Sequence, residues 1–265
     1  MGNDKSKLGS SSSHSHYQDR THTDPRVDRA FKRLAGSSDT LCYKKLLDNF
    51  SKDLSEKLWA FLSENRSTDV ALTFKDFSQH ASELMGNSTD IYIVVCQSVH
   101  SLLKICSEAA GVSAIKGDEQ FISNVVQGMI LGGHSLQHII AWKNTVCPKF
   151  CHALQCLVLH KLLEYDFPSV DYSSDILSPL QMWYIHCSLP SVYFPADNCK
   201  WTPLYTSTTQ GISINRFETT VFDYRGPTVS IFHLTDLRII VLATDQEWRL
   251  ILLLNQFRCY FISLI

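Results

Sequence analysis

Cysteine and histidine side chains concentrate in one short stretch of this 265-residue chain. The residues with metal-binding side chains there are, in order, Cys147, Cys151, His152, Cys156 and His160. Steps of four and five residues would place several of them on one helical face. Zinc sites, however, usually take ligand pairs from separate elements, and no second pair completes this one. Leucine and valine interleave the cluster, so we predict no metal site but a core helix in which cysteine behaves as a small apolar residue.

A second candidate for chemistry is the run Gly132-Gly133-His134-Ser135, which resembles an oxyanion turn followed by a nucleophile. Glycine is also enriched just past the end of a helix. The chain carries no G-x-S-x-G, Walker A or G-x-G-x-x-G motif. We therefore predict a loop that ends a helix, no catalytic residue and no cofactor. A metal-dependent hydrolase that uses this run or the Cys147–His160 cluster is kept as an alternative.

Residues 65–76 partly fit the calcium-binding loop of an EF-hand. A helix is predicted to end near Leu62 and another to run from Phe77 to Met85. The informative loop positions, counted from one, are Asn65 (one), Ser67 (three), Asp69 (five), Val70 (six), Leu72 (eight) and Asp76 (twelve). Position six needs glycine for its sharp turn, and position twelve prefers the longer, bidentate glutamate. The pattern predicts a degenerate EF-hand-like helix pair; a calcium sensor is the weaker alternative.

The first six residues, Met1-Gly2-Asn3-Asp4-Lys5-Ser6, fit the N-myristoylation signal M-G-x-x-x-[ST], with Gly2 as the acceptor. One myristoyl chain binds membranes with an association constant of only about 10⁴ M⁻¹, so stable attachment needs a second signal. Nearby basic residues are few, although further ones follow at Arg20, Arg26, Arg29, Lys32 and Arg33. We predict peripheral membrane attachment through Gly2, assisted by a protein partner.

Composition limits the class of protein. Hydrophobic residues make up 45% of the chain and charged residues 19%, with a formal net charge of −2. This balance gives no support for nucleic-acid binding, which needs a concentrated basic face. Nine cysteines occur without an apolar signal segment, which favours reduced thiols over a disulfide framework. The apolar segment 250–265 is too short to span a bilayer, and we predict β-structure there.

Three regions are predicted along the chain. Residues 1–38 are rich in Ser, His, Asp and Arg and read as a disordered, lipidated tail. Residues 39–175 show helical periodicity, with apolar series at 54–62, 91–103 and 122–130, a plausible cap at Asp118, and a helix near 149–165. Residues 176–265 open with Ser178-Pro179-Leu180-Gln181, a helix start with a capping serine, proline at the first position and glutamine at the third.

The segment 201–248 alternates apolar runs with turn residues. Residues 213–222 fit a short helix whose apolar side is Ile214, Phe217, Val221 and Phe222. The turn Tyr224–Pro227 precedes β-branched and aromatic runs at 228–234 and 237–243, which read as a hairpin. This segment resembles the start of a TLD (TLDc) domain. The matching residues are Leu204-Tyr205-Thr206-Ser207, Gly211, Ser213, Asn215-Arg216-Phe217, Gly226-Pro227-Thr228, Asp236, Ala243-Thr244 and Trp248.

The resemblance implies an α+β fold, with an N-terminal helical bundle followed by a β-sandwich TLD domain of which at most the first half is present. Together with Gly2 it points to the myristoylated, lysosome-located TLD proteins associated with mTOR. It implies a non-enzymatic regulator of mTOR nutrient signalling on the cytoplasmic face of membranes at the lysosome, with mTOR complex components or the vacuolar proton ATPase as partners. The alternatives within the family are a proton-ATPase-binding protein and one that protects against oxidative stress.

Overall fold

The computed structural model describes residues 24–194, 201–235, 238–248 and 259–264. Its helices are α1 (Pro25–Ala35), α2 (Tyr43–Leu47), α3 (Lys52–Leu62), α4 (Phe74–Leu84), α5 (Ile91–Cys96), α6 (Val99–Ala109), α7 (Glu119–Ile130), α8 (Leu136–Val146), α9 (His152–Leu163), α10 (Pro179–Ser188), α11 (Ser207–Gln210) and α12 (Ile214–Val221). Its strands are β1 (Thr40–Leu41), β2 (Leu72–Thr73), β3 (Thr228–His233), β4 (Ile239–Thr244) and β5 (Cys259–Leu264). The predicted α+β class, helical first and sheet-containing afterwards, is confirmed.

The first four helices form two helix–loop–helix units joined through their loops. Strand β1, between α1 and α2, pairs antiparallel with β2, between α3 and α4, with Leu41 opposite Leu72. Both leucine side chains are fully buried, which fixes the register of this short bridge. We call residues 25–84 the paired-helix lobe. A bridge between two loops is the arrangement of paired EF-hands, so the predicted EF-hand-like helix pair is present and has a second unit.

Helix α1 corrects the prediction of disorder for residues 1–38. Its buried residues recur at helical spacing: Val27, Ala30, Phe31, Leu34 and Ala35. The carboxylate of Asp24 accepts a hydrogen bond from the Arg26 amide at 2.8 Å, and Pro25 occupies the first turn. Gly36 ends the helix at φ 67°. The apolar stripe is narrow and set among charges, which is why composition alone hid it. Residues 1–23 lie outside the described part of the chain.

Helix α9 lies in the groove of the paired-helix lobe. Its Val158 and Leu162 close a cavity of about 10 Å³, barely enough for one water. The lobe residues that line the same cavity are Leu34, Leu46, Phe50, Leu58, Leu62, Phe77 and Leu84. Polar contacts flank this seam, since the Gln155 side-chain amide donates to the Gly86 carbonyl at 2.9 Å. The helix predicted near 149–165 is thus the central helix of the bundle.

The apolar series at 91–103 was predicted as continuous but is divided into α5 and α6. Gln97 adopts a left-handed conformation at φ 61° and ends α5. The Ser98 hydroxyl then accepts a hydrogen bond from the Ser101 amide at 3.1 Å and begins α6. Asp118 stands at the cap position of α7, as predicted, but its carboxylate accepts from the Ile115 amide instead of a first-turn amide.

The C-terminal described residues form one antiparallel sheet in the order β3-β4-β5. Thr228 pairs with Thr244 and His233 with Ile239, so the predicted hairpin is confirmed, with its second strand at residues 239–244 where 237–243 was predicted. The predicted C-terminal β-structure is confirmed for residues 259–264. Helix α12 also forms, but Ile214, predicted on its apolar side, is 74% exposed. No helix within the described ranges is long and apolar enough to cross a membrane.

A buried ion pair joins α8 to the start of α5. The Lys143 ammonium lies 2.5 Å from Asp90 Oδ1 and donates to the Thr89 hydroxyl at 2.7 Å. The Lys143 side chain is only 5% exposed, whereas Asp90 retains contact with solvent. Because a buried ammonium needs a partner, this pair fixes where α8 sits.

Lys143→Ala is expected to lower the free energy of unfolding by about 2–3 kcal/mol. The substitution removes the ion-pair partner of Asp90 and leaves a cavity where the aliphatic part of the lysine side chain was packed. Equilibrium denaturation measures the change. Lys104→Ala is the matched control, because Lys104 pairs with Asp53 at the surface and should cost below about 1 kcal/mol. Equal losses in the two variants would contradict this account of the buried pair.

Candidate functional site

The loop between α3 and α4 (residues 63–73), which we call the pseudo-EF loop, holds an arginine against the carboxylate at position twelve of the calcium-loop pattern. The Arg66 guanidinium lies 2.7 Å from Asp76 Oδ1, the carboxylate at position twelve. Arg66 Nε donates to the Ser63 carbonyl at 3.0 Å, and the Arg66 carbonyl accepts from the Trp59 indole at 3.2 Å. The arginine is therefore held at both its backbone and its side chain. Sequence reasoning identified the loop but missed Arg66, because position two has no ligand role.

The second carboxylate oxygen of Asp76 is also engaged. It accepts from the Thr73 amide at 2.9 Å and from the Thr73 hydroxyl at 2.6 Å, completing a capping box at the start of α4. The Arg66 hydrogen bond, and then the Thr73 bonds, hold the pKa of Asp76 well below its usual range. Both oxygens that a bidentate ligand would offer to calcium are thus satisfied within the protein.

Removing the guanidinium tests this assignment. In Arg66→Ala the pKa of Asp76 should rise while staying below the ordinary value, since the Thr73 bonds persist; a carboxyl ¹³C titration by NMR measures it. A depressed carboxyl pKa stabilises the fold above the ordinary value of 3.8 and loses that effect as the pH falls through the folded value. The stability difference from wild type should therefore be present at pH 7 and shrink in acid.

Lys75→Ala is the control for that variant, because Lys75 is exposed in the first turn of α4 and should leave the Asp76 pKa unchanged. Calcium titration of the wild-type protein should give no saturable change. An unchanged Asp76 pKa in Arg66→Ala, or calcium binding by wild type, would refute the role given to Arg66.

The Cys/His cluster is divided between the core and the surface of α9. Cys147 and Cys151 are fully buried, as predicted, whereas Cys156 is only partly buried. His152 Nε2 lies 3.6 Å from the Cys156 sulfur, and His160 Nδ1 lies 2.7 Å from the Tyr165 carbonyl oxygen. Within the described ranges, no three His, Cys, Asp or Glu side chains converge as a metal site would require.

Two further thiols pack beside the cluster. Cys106 is a neighbour of Cys151, and Cys187 is a neighbour of Cys147. Burial, followed by the neighbouring thiol, raises the pKa of Cys106 and of Cys187 far above the usual thiol range. A metal ligand or a nucleophile must be a thiolate, so these side chains are suited to packing and unsuited to either role.

The Ser135 hydroxyl and an imidazole do meet, but the imidazole is that of His138. Ser135 Oγ lies 2.6 Å from His138 Nδ1 and accepts from the His138 amide at 3.3 Å, which makes it the cap of α8. In a hydrolytic triad the imidazole uses its other nitrogen, Nε2, toward the nucleophile and Nδ1 toward a carboxylate. Gly133 donates to the Ile130 carbonyl at 2.9 Å, so the run is a loop that ends α7, as predicted.

Several of the residues that carry the family resemblance are joined by hydrogen bonds and ring contacts in the C-terminal segment. The Tyr205 hydroxyl donates to the Gly211 carbonyl and accepts from the Ser213 amide. Phe217, on α12, meets the Tyr205 ring edge-on at 5.6 Å and the Trp248 ring at 5.3 Å. These contacts hold residues 205–217 against Trp248, which lies four residues beyond the end of β4.

The network continues into the sheet. The Trp248 indole N–H donates to the Thr228 hydroxyl at 3.0 Å, and that hydroxyl lies 3.0 Å from the Thr244 hydroxyl. Both threonines are buried and face each other across the β3–β4 pair. A buried hydroxyl needs a hydrogen-bond partner, and here Trp248 and Thr244 both provide one for the Thr228 hydroxyl.

Comparison with protein families bears on the same stretch. Residues 170–258 match the TLDc domain. The match begins just before α10 and includes α12 and the β3–β4 hairpin, so it supports membership of the TLD-domain family. No curated protein matches the chain. Gly2, the predicted lipidation site, lies outside the described residues.

The matched residues should act as folding determinants. Trp248→Ala is expected to lower the free energy of unfolding by about 2–4 kcal/mol, and Trp248→Phe by about 1 kcal/mol, because phenylalanine keeps the packing and loses only the indole bond. Ile212→Ala is the control, since Ile212 is 96% exposed and should stay within about 0.5 kcal/mol of wild type. Chemical denaturation followed by tryptophan-independent circular dichroism measures all three; a neutral Trp248→Ala would refute the network.

Proposed function

We propose that this chain is a non-enzymatic TLD-family regulator that an N-myristoyl group on Gly2 holds on the cytoplasmic face of lysosomal membranes, where it acts in mTOR nutrient signalling. The observation that carries the proposal is the TLDc match at residues 170–258 in a chain whose first six residues fit a myristoylation signal. The match supports the TLD-domain family. Attachment to membranes, location at the lysosome and a role in mTOR signalling are what we propose in addition.

The contacts of the matched residues support a role without catalysis. The Tyr205 hydroxyl, the Trp248 indole and the Thr228 hydroxyl are all used inside the protein. Side chains committed to holding a loop and helix on a sheet are not poised to receive a substrate. The Ser135–His138 pair caps a helix, and its geometry does not suit nucleophilic attack. A regulator that works by binding is consistent with both observations.

Attachment through Gly2 needs a second contribution, and α1 offers little of it. Three of its basic side chains have acidic neighbours: Arg26 pairs with Asp24, Lys32 with Asp28, and Arg33 with Glu164. An ion-paired side chain adds less attraction to an anionic surface than an unpaired one. We therefore assign the second contribution to a protein partner at the membrane, either mTOR complex components or the vacuolar proton ATPase.

Gly2→Ala is expected to move the protein from the membrane fraction to the soluble fraction, because it removes the acceptor for the acyl chain. Metabolic labelling with an alkyne-bearing myristate should mark wild type and leave Gly2→Ala unlabelled. Gly9→Ala is the matched control, since Gly9 lies in the same stretch outside the motif. Labelled Gly2→Ala, or unchanged fractionation, would contradict the proposed anchor.

The same proteins can identify the partner. Affinity purification of lipidated wild type should recover mTOR complex components, and Gly2→Ala should recover less of them. Recovery of proton-ATPase subunits in place of mTOR components would favour the alternative role within the family. Recovery of neither class from lysosomal membranes would refute the proposed site of action. Whether Gly2 carries the myristoyl anchor would still be decided by the labelling experiment.

A further inference from the structure

A second cavity, of about 50 Å³, lies between α9, α10 and the loop that joins them. This volume is well above the ~10–15 Å³ that one water needs. Its walls are largely aromatic and apolar, with four polar side chains that can donate hydrogen bonds. The polar lining residues are Lys149, His152, Tyr172 and His186, and the apolar ones include Phe167, Pro168, Val170 and Trp183. We call this space the α9–α10 cavity.

His186 is held firmly at one wall. Its Nδ1 lies 2.8 Å from the Tyr172 hydroxyl, and its ring lies 4.2 Å from the Phe194 ring, between centroids, with the two planes tilted by 42°. Because the phenol can donate to Nδ1, the imidazole is left with Nε2 as its N–H donor. Lys149 Nζ lies 5.2 Å from the centroid of the same Phe194 ring, which places an ammonium near the imidazole.

Of the four polar groups that line the cavity, three are cationic when protonated and the fourth is uncharged. They are the Lys149 ammonium, which precedes α9, the His152 imidazole on α9, the His186 imidazole on α10 and the uncharged Tyr172 phenol from the loop. Cys156 and the buried Cys187 add thiols beside them. No carboxylate is among the described residues that line this space. Such a lining favours a ligand that accepts hydrogen bonds and carries negative charge.

The pKa values of the two histidines are consistent with a site for an anion. Burial, and then Lys149 and His152, lower the pKa of His186 to about 4. Burial and Lys149 likewise lower the pKa of His152. Both imidazoles are therefore neutral at pH 7, and an anion placed between them would favour their charged forms. Anion binding and proton uptake are then thermodynamically linked.

We propose that the α9–α10 cavity is a binding site for a small oxyanion, a sulfate-like or phosphate-like group or a carboxylate, held by His186, His152 and Lys149. The cavity lies where the helical region meets the residues of the TLDc match, since α9 precedes that match and α10 is inside it. The site does not depend on the proposed membrane function. It would let a soluble ion stabilise the junction between the two regions.

The test is isothermal titration of the full chain with sodium sulfate and, separately, sodium acetate, at pH 6.0 and 7.5. Neither probe changes charge over this range, so a change in affinity reports protons taken up by the protein. We expect saturable binding that tightens on acidification, by up to about tenfold per pH unit for one proton. Sulfate binding without acetate binding would assign a phosphate-like ligand, and the reverse a carboxylate.

His186→Phe should weaken binding at least tenfold and remove its pH dependence, because phenylalanine can keep the ring contact with Phe194 but offers no hydrogen-bond donor. If that variant does not fold, His152→Gln provides the same comparison at an exposed position. Lys116→Met, an exposed position in the loop before α7, is the matched control and should leave affinity unchanged. No saturable binding by wild type, or binding indifferent to His186→Phe and to pH, would overturn the proposal.

Discussion

The packing of α9 into the groove of the paired-helix lobe is the contact on which the rest of the described structure depends. Leu154, Val158 and Leu162, four residues apart, are all buried in this helix. Burying three such side chains contributes roughly 5–8 kcal/mol, a large part of the net stability of a typical domain. Without α9 the two helix–loop–helix units would expose the leucines and phenylalanines that line their groove, and α1 would lose the face that makes it helical.

The residues just before α9 also connect the helical region to the segment that matches the TLDc domain. Immediately before α9, the Lys149 amide donates to the Cys187 carbonyl of α10 at 3.1 Å. The fully buried Phe150 ring then lies between Trp142 of α8, at 5.4 Å, and Trp183 of α10, at 5.2 Å. Because α10 lies within the residues that match the TLDc domain, the helical region and that domain share a core here. The α9–α10 cavity is a space with a partly polar lining beside this shared core.

Local rules were enough to predict some elements and not others. The Ser178 capping box formed as the sequence indicated, with the Gln181 amide 3.2 Å from the Ser178 hydroxyl, because all its members lie within four residues. The β3–β4 hairpin followed for the same reason. Helix α1 was missed because its few apolar residues become stabilising only when they pack on α4 and α9; Phe31, for example, meets Phe74 and Phe77 of α4. The α9–α10 cavity was missed because His152 and His186 are distant in sequence and meet only through the packing of two helices.

The pseudo-EF loop and the TLDc residues show why a motif can identify a fold without identifying an activity. In the loop, an EF-hand pattern is retained while the Arg66 guanidinium pairs with Asp76, the carboxylate at position twelve. In the C-terminal segment, Tyr205, Phe217 and Trp248 match the family because they fasten a helix to a sheet. Residues that are constrained by packing and hydrogen bonding in this way can be recognised in a single sequence, because their contacts determine which residue types fit. Binding surfaces consist of the exposed positions between them, where many residue types are equally stable, and their identity must come from the partner.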